Sequence, residues 1–369
     1  MHTVNSKLEN ILNRLQQGHT VEKEEIIYLL GLSDPSDIKL LFQAARDVRA
    51  RHSGNTVFLY GFLYFSTFCR NNCNFCQYRQ SNSSLSRYRK TNTQILSAAT
   101  EMADTGVHLI DLTMGEDPDL YFGEPGYDQL VHMVESVQKK TGLPLMISPG
   151  VLPDRVIREL ASLGVTWYAC YQETHNRTLY KELRQGQGFH QRLAKKQLAK
   201  NLGMLIEEGI LTGVGETLDD LAESITWMKA FGVDQARVMT FVPQVNTPMA
   251  GIPAQGSLKE RLIIGVMRLV LQDVLIPASL DVNGLSGLKA RLNAGANVVT
   301  SIVPPQKGLA GVANNSLDID DSRRSLKHVL PVIKECGLEA AQQGDYLFWV
   351  SQRKNILAHG PQKKEKEVE

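Results

Sequence analysis

The sequence predicts an α/β protein, a closed (β/α)8 barrel of the TIM type with an N-terminal helical extension. Three observations predict it. From about residue 57 onward, eight short β-rich apolar runs alternate with stretches of helical periodicity, the pattern of a parallel sheet wound by crossover helices. The chain has 369 residues, more than the usual domain of roughly 150, but α/β barrels run to about 250 as one domain and carry extensions besides. That the repeats number eight favours closure into a barrel, in which the polar residues at the C-terminal ends of the runs are the ones to examine for a site. An open doubly wound sheet shares the alternation, and periodicity alone separates the two poorly.

Residues 1–55 carry apolar stripes in "LENILNRLQQG" and "DIKLLFQAARDVRARHSG" and predict a helical cap over one end of the barrel. The barrel itself is expected over residues 56–350. Its strand runs are "VFLYGFLYFST", "HLIDLTMG", "LPLMISPG", "WYACYQET", "GILTGVGE", "QARVMTFVP", "IPASLDV" and "NVVTSIVPP". Between the first two, "TQILSAATEMADTG" has helical spacing and closes on Gly106. After Pro305, "SRRSLKHVLPVIKECGLEAAQQ" predicts a late helix, and residues 351–369, ending "GPQKKEKEVE", predict a charged tail without fixed structure.

Composition narrows the function. Hydrophobic residues make up 43% of the chain and charged residues 21%, with a formal net charge of +1, which describes an ordinary globular protein and gives no basic excess for nucleic acid. No run has the length of a membrane span, and the start lacks the apolar core of a signal peptide, so a cytoplasmic location is expected. In that reducing compartment an odd, clustered set of cysteines points to metal or redox chemistry.

Three of the five cysteines, Cys69, Cys73 and Cys76, form C-x3-C-x2-C just past the first strand run, in "YFSTFCRNNCNFCQYRQ". Three thiolates hold three corners of a [4Fe-4S] cubane and leave one iron open to a ligand from outside the protein. A structural zinc site needs a fourth donor; His52 and His108 stand at no usual finger spacing, and Cys170 and Cys336 are isolated. Those two are also too few for a second cluster and read as small buried hydrophobes.

The loop resembles the signature of the radical S-adenosylmethionine (SAM) superfamily, in which the open iron chelates the amino and carboxylate groups of SAM. The resemblance implies that Phe75 lies near the adenine, and that Glu116 in "TMGEDP" stands where the superfamily has a Gly-Gly-Glu-like segment, with Met114 in place of one glycine. Ser148 ends "ISPG", and Glu173 follows the apolar "WYACY", where a carboxylate needs a partner. Arg184 and Arg192 follow as carboxylate binders, of which one is enough, and the glycines of "TGVGET" allow close approach to the adenosine.

Deeper in the expected barrel, Arg237 lies inside the sixth run, Ser279 and Asp281 share a face of the seventh, and Asp111 joins them from the second. One cation and two carboxylates facing a cavity complement one carboxylate and two ammonium groups, as in a diamino acid; an internal salt bridge between Arg237 and one Asp is the competing reading.

Over nearly the whole chain except the termini, "IDLTMGEDP", "PLMISPG", "YQET", "ILTGVG", "RVMTF", "IPASLD" and "ARLNAGANVVTSIVPP" are similar to the methylornithine synthase family of pyrrolysine biosynthesis. That resemblance implies a radical SAM mutase isomerising L-lysine to (3R)-3-methyl-D-ornithine, served by a reduced flavodoxin or ferredoxin and with no nucleic acid or membrane partner. Cys69, Cys73 and Cys76 would hold the cluster. Ser148, Glu173 and Arg192 would bind SAM, and Asp111, Arg237, Ser279 and Asp281 the amino acid. On that resemblance no side chain is expected to act as a catalyst: the adenosyl radical would take hydrogen from lysine C4, the Cα–Cβ bond would break, the glycyl and aminobutene fragments would rejoin at the internal alkene carbon, and 5'-deoxyadenosine would return the hydrogen to the branched product radical.

Overall fold

All eight apolar runs are strands, and in the sheet the sixth to the first lie side by side in reverse chain order, followed by the eighth and the seventh, each parallel to its neighbours. The computed structural model describes residues 5–359 except 122, 305, 310, 312 and 314–323. Along the chain the elements are α1 (Ser6–Gln16), α2 (Lys23–Leu30), α3 (Pro35–Ser53), β1 (Thr56–Ser66), α4 (Asn92–Asp104), β2 (Leu109–Met114), α5 (Pro118–Tyr121), α6 (Glu124–Thr141), β3 (Leu145–Ser148), α7 (Asp154–Ser162) and β4 (Trp167–Ala169). There follow α8 (Arg177–Leu183), α9 (Phe189–Asn201), β5 (Leu205–Thr212), α10 (Leu218–Phe231), β6 (Gln235–Thr240), α11 (Leu258–Leu271), β7 (Pro277–Ser279), α12 (Gly284–Asn293), β8 (Val298–Ile302), α13 (Leu326–Glu335), β9 (Glu339–Ala340) and α14 (Gln343–His359).

The barrel is nearly closed. At its seam a bridge joins Gln235 to Leu275, with the Ala236 amide donating to the Leu275 carbonyl at 2.9 Å. Alternation along β1 divides the interior: Phe58, Tyr60, Phe62 and Tyr64 point into the lumen with Met146 and Trp167, while Leu59, Leu63 and Phe65 pack under the helices. Helix starts follow local signals. At α4 the Thr91 hydroxyl accepts from the Gln94 amide while the Gln94 side chain accepts from the Thr91 amide, and Thr217 and Asp220 do the same for α10.

The two ends of the chain are placed differently from the sequence expectation. Helices α1–α3 pack against α10 and α11 on the flank of the barrel, so the expected N-terminal cap is a flank packing. The lumen is instead sealed at the N-terminal ends of the strands by α14. Its Tyr346 hydroxyl bonds the Trp167 indole at 2.9 Å and the Tyr60 hydroxyl at 3.1 Å, and Trp349 stacks on Trp167 at 5.9 Å. This helix continues to His359, past the barrel boundary expected at residue 350, and the rest of the expected tail, 360–369, lies outside the described residues. Among the described residues no helix is long and apolar enough to cross a membrane.

Candidate active site

Above the sealed floor, at the C-terminal ends of the strands, lies a cavity of about 210 Å3 lined by Cys69, Cys73 and Cys76 and, deeper, by Asp111, Arg237 and Asp281. The cysteine loop leaves β1 and is held by backbone contacts. The Arg87 guanidinium gathers the carbonyls of Thr67, Tyr78, Arg79 and Asn82 at 2.6 to 3.2 Å. The Arg70 amide donates to the Glu116 carbonyl at 2.9 Å and the Asn74 amide to that of Leu183 at 2.8 Å, tying the loop to the end of β2 and to α8. A glycine is needed beside it: a Cβ on Gly115 would lie 2.2 Å from the Phe68 carbonyl oxygen and 2.9 Å from Cys69 Cβ.

Burial pushes the Cys69 thiol up to about 11 and raises Cys76 as well, the latter also through the charges of Cys73 and Cys69. A cation beside Cys69 and Cys76 would favour their thiolates against that burial. Gln187 Nε2 approaches the Cys73 sulfur at 2.9 Å and Arg184 Nη1 at 3.6 Å. Among the described residues the one trio of thiol, imidazole or carboxylate ligand atoms lying within 4.8 Å of one another is Asp219, Asp220 and Glu223. A cubane, which spreads its cysteines over separate irons, fits this donor set. His108 offers no fourth zinc ligand, since its ring bonds the Leu59 amide at 2.8 Å and the Ala341 carbonyl at 2.9 Å beneath the barrel.

Next to the thiols stands a charged wall. Chain leaving β4 pairs with β5 again at Glu173, whose φ of 70° turns the carboxylate to Arg184 Nη2 at 2.7 Å. Burial raises the Glu173 carboxyl, and the charges of Arg184 and Arg192 oppose that rise. Arg184 also lies over the Phe75 ring, 5.3 Å from its centre. Glu116 accepts from Arg70 Nε at 2.9 Å and from the Val151 amide at 3.0 Å, and has Arg192 Nη1 at 3.6 Å. Arg192 Nε reaches the Tyr171 carbonyl at 3.0 Å. Both arginines thus line the cavity, where one was expected to be enough.

Deeper in the lumen the pairing differs from expectation. Arg237 meets neither aspartate: its Nε donates to Glu207 at 2.7 Å and its Nη1 to Thr300 Oγ1 at 3.0 Å, while Nη2 is buried with no hydrogen-bond partner among the described residues. Asp111 accepts from Ser148 Oγ at 2.9 and 3.1 Å, so the serine expected at SAM bonds the aspartate expected at the amino acid. Fully buried and with no ion pair among the described residues, Asp111 is pushed up to about 7 by burial and then by the charge of Glu207. Asp281 already holds Arg324 Nη1 at 2.8 Å, the Tyr64 hydroxyl at 2.8 and 2.9 Å and Ser301 Oγ at 2.9 Å. Ser279 lies behind it, taking the Asp281 amide at 3.3 Å, and is not on the cavity wall.

Sequence reasoning missed Glu207, because the fifth run was started at Gly209 whereas β5 begins at Leu205. Extending the run backward with a period of two would have put Glu207 in phase with Gly209, the ladder partner of Arg237. Arg324 carried no signal of its own. The "TGVGET" segment also differs from expectation: the Gly213 and Val214 amides and the Thr212 hydroxyl all donate to Glu216, at 2.6 to 3.0 Å, so these groups bind the chain's own carboxylate. Cys170, just past β4, is buried as expected and its side chain lines the cavity.

Residues 63–228 match the radical SAM superfamily. The chain is 40% identical over 339 residues to the 3-methylornithine synthase of Methanosarcina acetivorans, covering 92% of this chain and 96% of that one. It is 29% identical to the [FeFe] hydrogenase maturase subunit HydE of Thermotoga maritima, over 78% of this chain and 82% of the relative. Among solved structures, a methylornithine synthase (PylB) superposes with a TM-score of 0.87 at 40% identity, over 92% of this chain and 99% of that one.

Proposed function

The chain belongs to the radical SAM superfamily and, within it, to the 3-methylornithine synthases of pyrrolysine biosynthesis, and on that premise we propose that it isomerises L-lysine to (3R)-3-methyl-D-ornithine. The observation that carries the reading is a single cavity with the three-cysteine loop at one end and a charged, sealed lumen at the other. When bound there, a [4Fe-4S] cluster and SAM, with an electron from a reduced flavodoxin or ferredoxin, supply a 5'-deoxyadenosyl radical able to take hydrogen from an unactivated carbon. Cys69, Cys73 and Cys76 hold the cluster. Phe75, Glu116, Glu173, Arg184 and Arg192 form the SAM wall, with Ser148 at its border with the lumen.

For the substrate, charge decides. The Glu207–Arg237 and Asp281–Arg324 pairs are each neutral, which leaves Asp111 as the lumen carboxyl that lacks an ion-pair partner among the described residues. An ammonium group supplies it, and the unpartnered Nη2 of Arg237 is the donor for a carboxylate. Asp281, whose charge Arg324 already meets, serves the second ammonium only as a hydrogen-bond acceptor, with Ser279 holding its backbone amide from behind. These residues bind and orient rather than transfer protons. With the floor closed by α14 and the walls lined by Phe62, Tyr64 and Tyr171, water is kept from the fragments, which stay gripped by their charged ends.

The test is turnover. Anaerobically reconstituted protein with SAM, dithionite and lysine is expected to form 3-methylornithine. Unaltered lysine together with consumption of a different amino acid would reject the assignment while leaving the superfamily intact.

A further inference from the structure

Glu207 and Glu208 are consecutive on β5, and both are fully buried. Successive strand side chains point to opposite faces, so the tandem places one carboxylate inside the barrel and the other between barrel and helices. Neither lines the cavity. Buried carboxylates are costly unless paired, and each of these two is paired in its own layer.

On the inner face Glu207 accepts from Arg237 Nε, Gln235 Nε2 and the Tyr171 hydroxyl, each at 2.7 Å. The Tyr171 ring reaches it across Gly209, where a Cβ would come within 2.9 Å of the ring. Asp111 is the competing carboxylate, since its charge and that of Arg237 act on each other. Without Glu207 the guanidinium turns to Asp111, and both lumen groups that face the amino acid are consumed at once. Losing one negative charge also makes the lumen less favourable to lysine, which carries net positive charge.

On the outer face Glu208 pairs with the fully buried Lys196 of α9 and accepts from the Gln172 amide at 2.7 Å; Lys196 also reaches Gln172 Oε1 at 3.3 Å. Lys196 stands four residues after Arg192 on the same helical face, so the pair seats the turn that aims Arg192 at the Tyr171 carbonyl. Gln172 sits between Tyr171 and Glu173, the residue that holds Arg184.

We propose that the Glu207–Glu208 tandem is a two-sided positioning element: Glu207 aims Arg237 for the amino acid, and Glu208, with Lys196, holds the loop of Glu173 and the helix of Arg192 for SAM. The inference rests on the ligand placement proposed above. It predicts crossed effects on binding, which a general loss of stability would not give.

The experiment is equilibrium dialysis of iron-loaded protein without reductant, so that nothing turns over, measuring SAM alone and then lysine at saturating SAM. Glu207→Gln is expected to weaken lysine binding about tenfold or more with SAM binding unchanged. The double variant Lys196→Met/Glu208→Gln, which removes both outer charges together, is expected to weaken SAM binding about tenfold with lysine binding at saturation unchanged. If Glu207→Gln does not retain iron, Tyr171→Phe removes one donor to Glu207 and is expected to weaken lysine alone. Parallel losses of both ligands, or no loss of the assigned one, would overturn the proposal. Failure of the unaltered protein to bind lysine at all would instead refute the substrate assignment on which it rests.

Discussion

Replacing Asp111 by Asn is expected to stabilise the substrate-free protein while destroying its grip on lysine. The Asp111 carboxyl is fully buried beside Glu207, Arg237 and Ser148 and titrates at about 7, against 3.8 for the ordinary side chain. A folded-state value above the unfolded one means that the ionised carboxylate destabilises the fold, with the whole penalty present above the higher value. Above about pH 8, the gap corresponds to a penalty of about 4 kcal/mol. Near pH 5 the folded carboxyl is mostly protonated, and less than half of that penalty remains. Asn keeps the shape and a bond to Ser148 but carries no charge. For a chain of this length the full penalty translates into a melting point higher by about 5 °C in alkaline buffer, and by clearly less in acid. Thermal unfolding of the two proteins without SAM or lysine at both pH values is the assay. Equal melting points at both, or a lower one for the variant at high pH, would refute the view that Asp111 is an uncompensated charge awaiting an ammonium.

The remaining predictions concern the same cavity. Lysine binding to the unaltered protein is expected to strengthen as pH rises through about 7, because protonated Asp111 offers no charge to an ammonium; a flat profile from Kd measurements would contradict this. Arg237→Lys loses the bonds to Glu207 and Thr300, and a point charge does not replace the fork. Lysine kcat/KM is expected to fall by about tenfold to a hundredfold with iron content unchanged, and normal kinetics would remove Arg237 from the grip. Gly115→Ala drives a Cβ into the Phe68 carbonyl and the Cys69 side chain, so iron retention is expected to drop while circular dichroism stays the same. Full iron content in that variant would show that the loop has another way to seat itself.

The eight strands were legible because a parallel barrel buries its strands on both sides, and long apolar runs are the result. That same expectation hid the start of β5, where Glu207 and Glu208 interrupt the apolar pattern and resemble a loop. Amphipathic stripes announced faces to be covered, but not what covers them, so the flank helices α1–α3 were read as the cap, and the plug, α14, was divided at residue 350 between the barrel and the tail. The cysteine loop could be read locally since its spacing is its chemistry. The lumen pairs could not. Asp281 and Arg324 are 43 residues apart and Glu207 and Arg237 are 30 apart, and only the closing of the barrel brings them together. Glu216 makes the converse point: a glycine-rich turn that looked open to a ligand is filled by the carboxylate three residues after its first glycine.

Mössbauer spectroscopy of protein reconstituted with isotopically enriched iron, before and after SAM is added, tests the central claim most directly. The three-thiol loop predicts one iron distinct from three others, with its signal alone shifting when SAM binds. Four irons indifferent to SAM, or a site that takes up zinc in place of iron, would contradict the account.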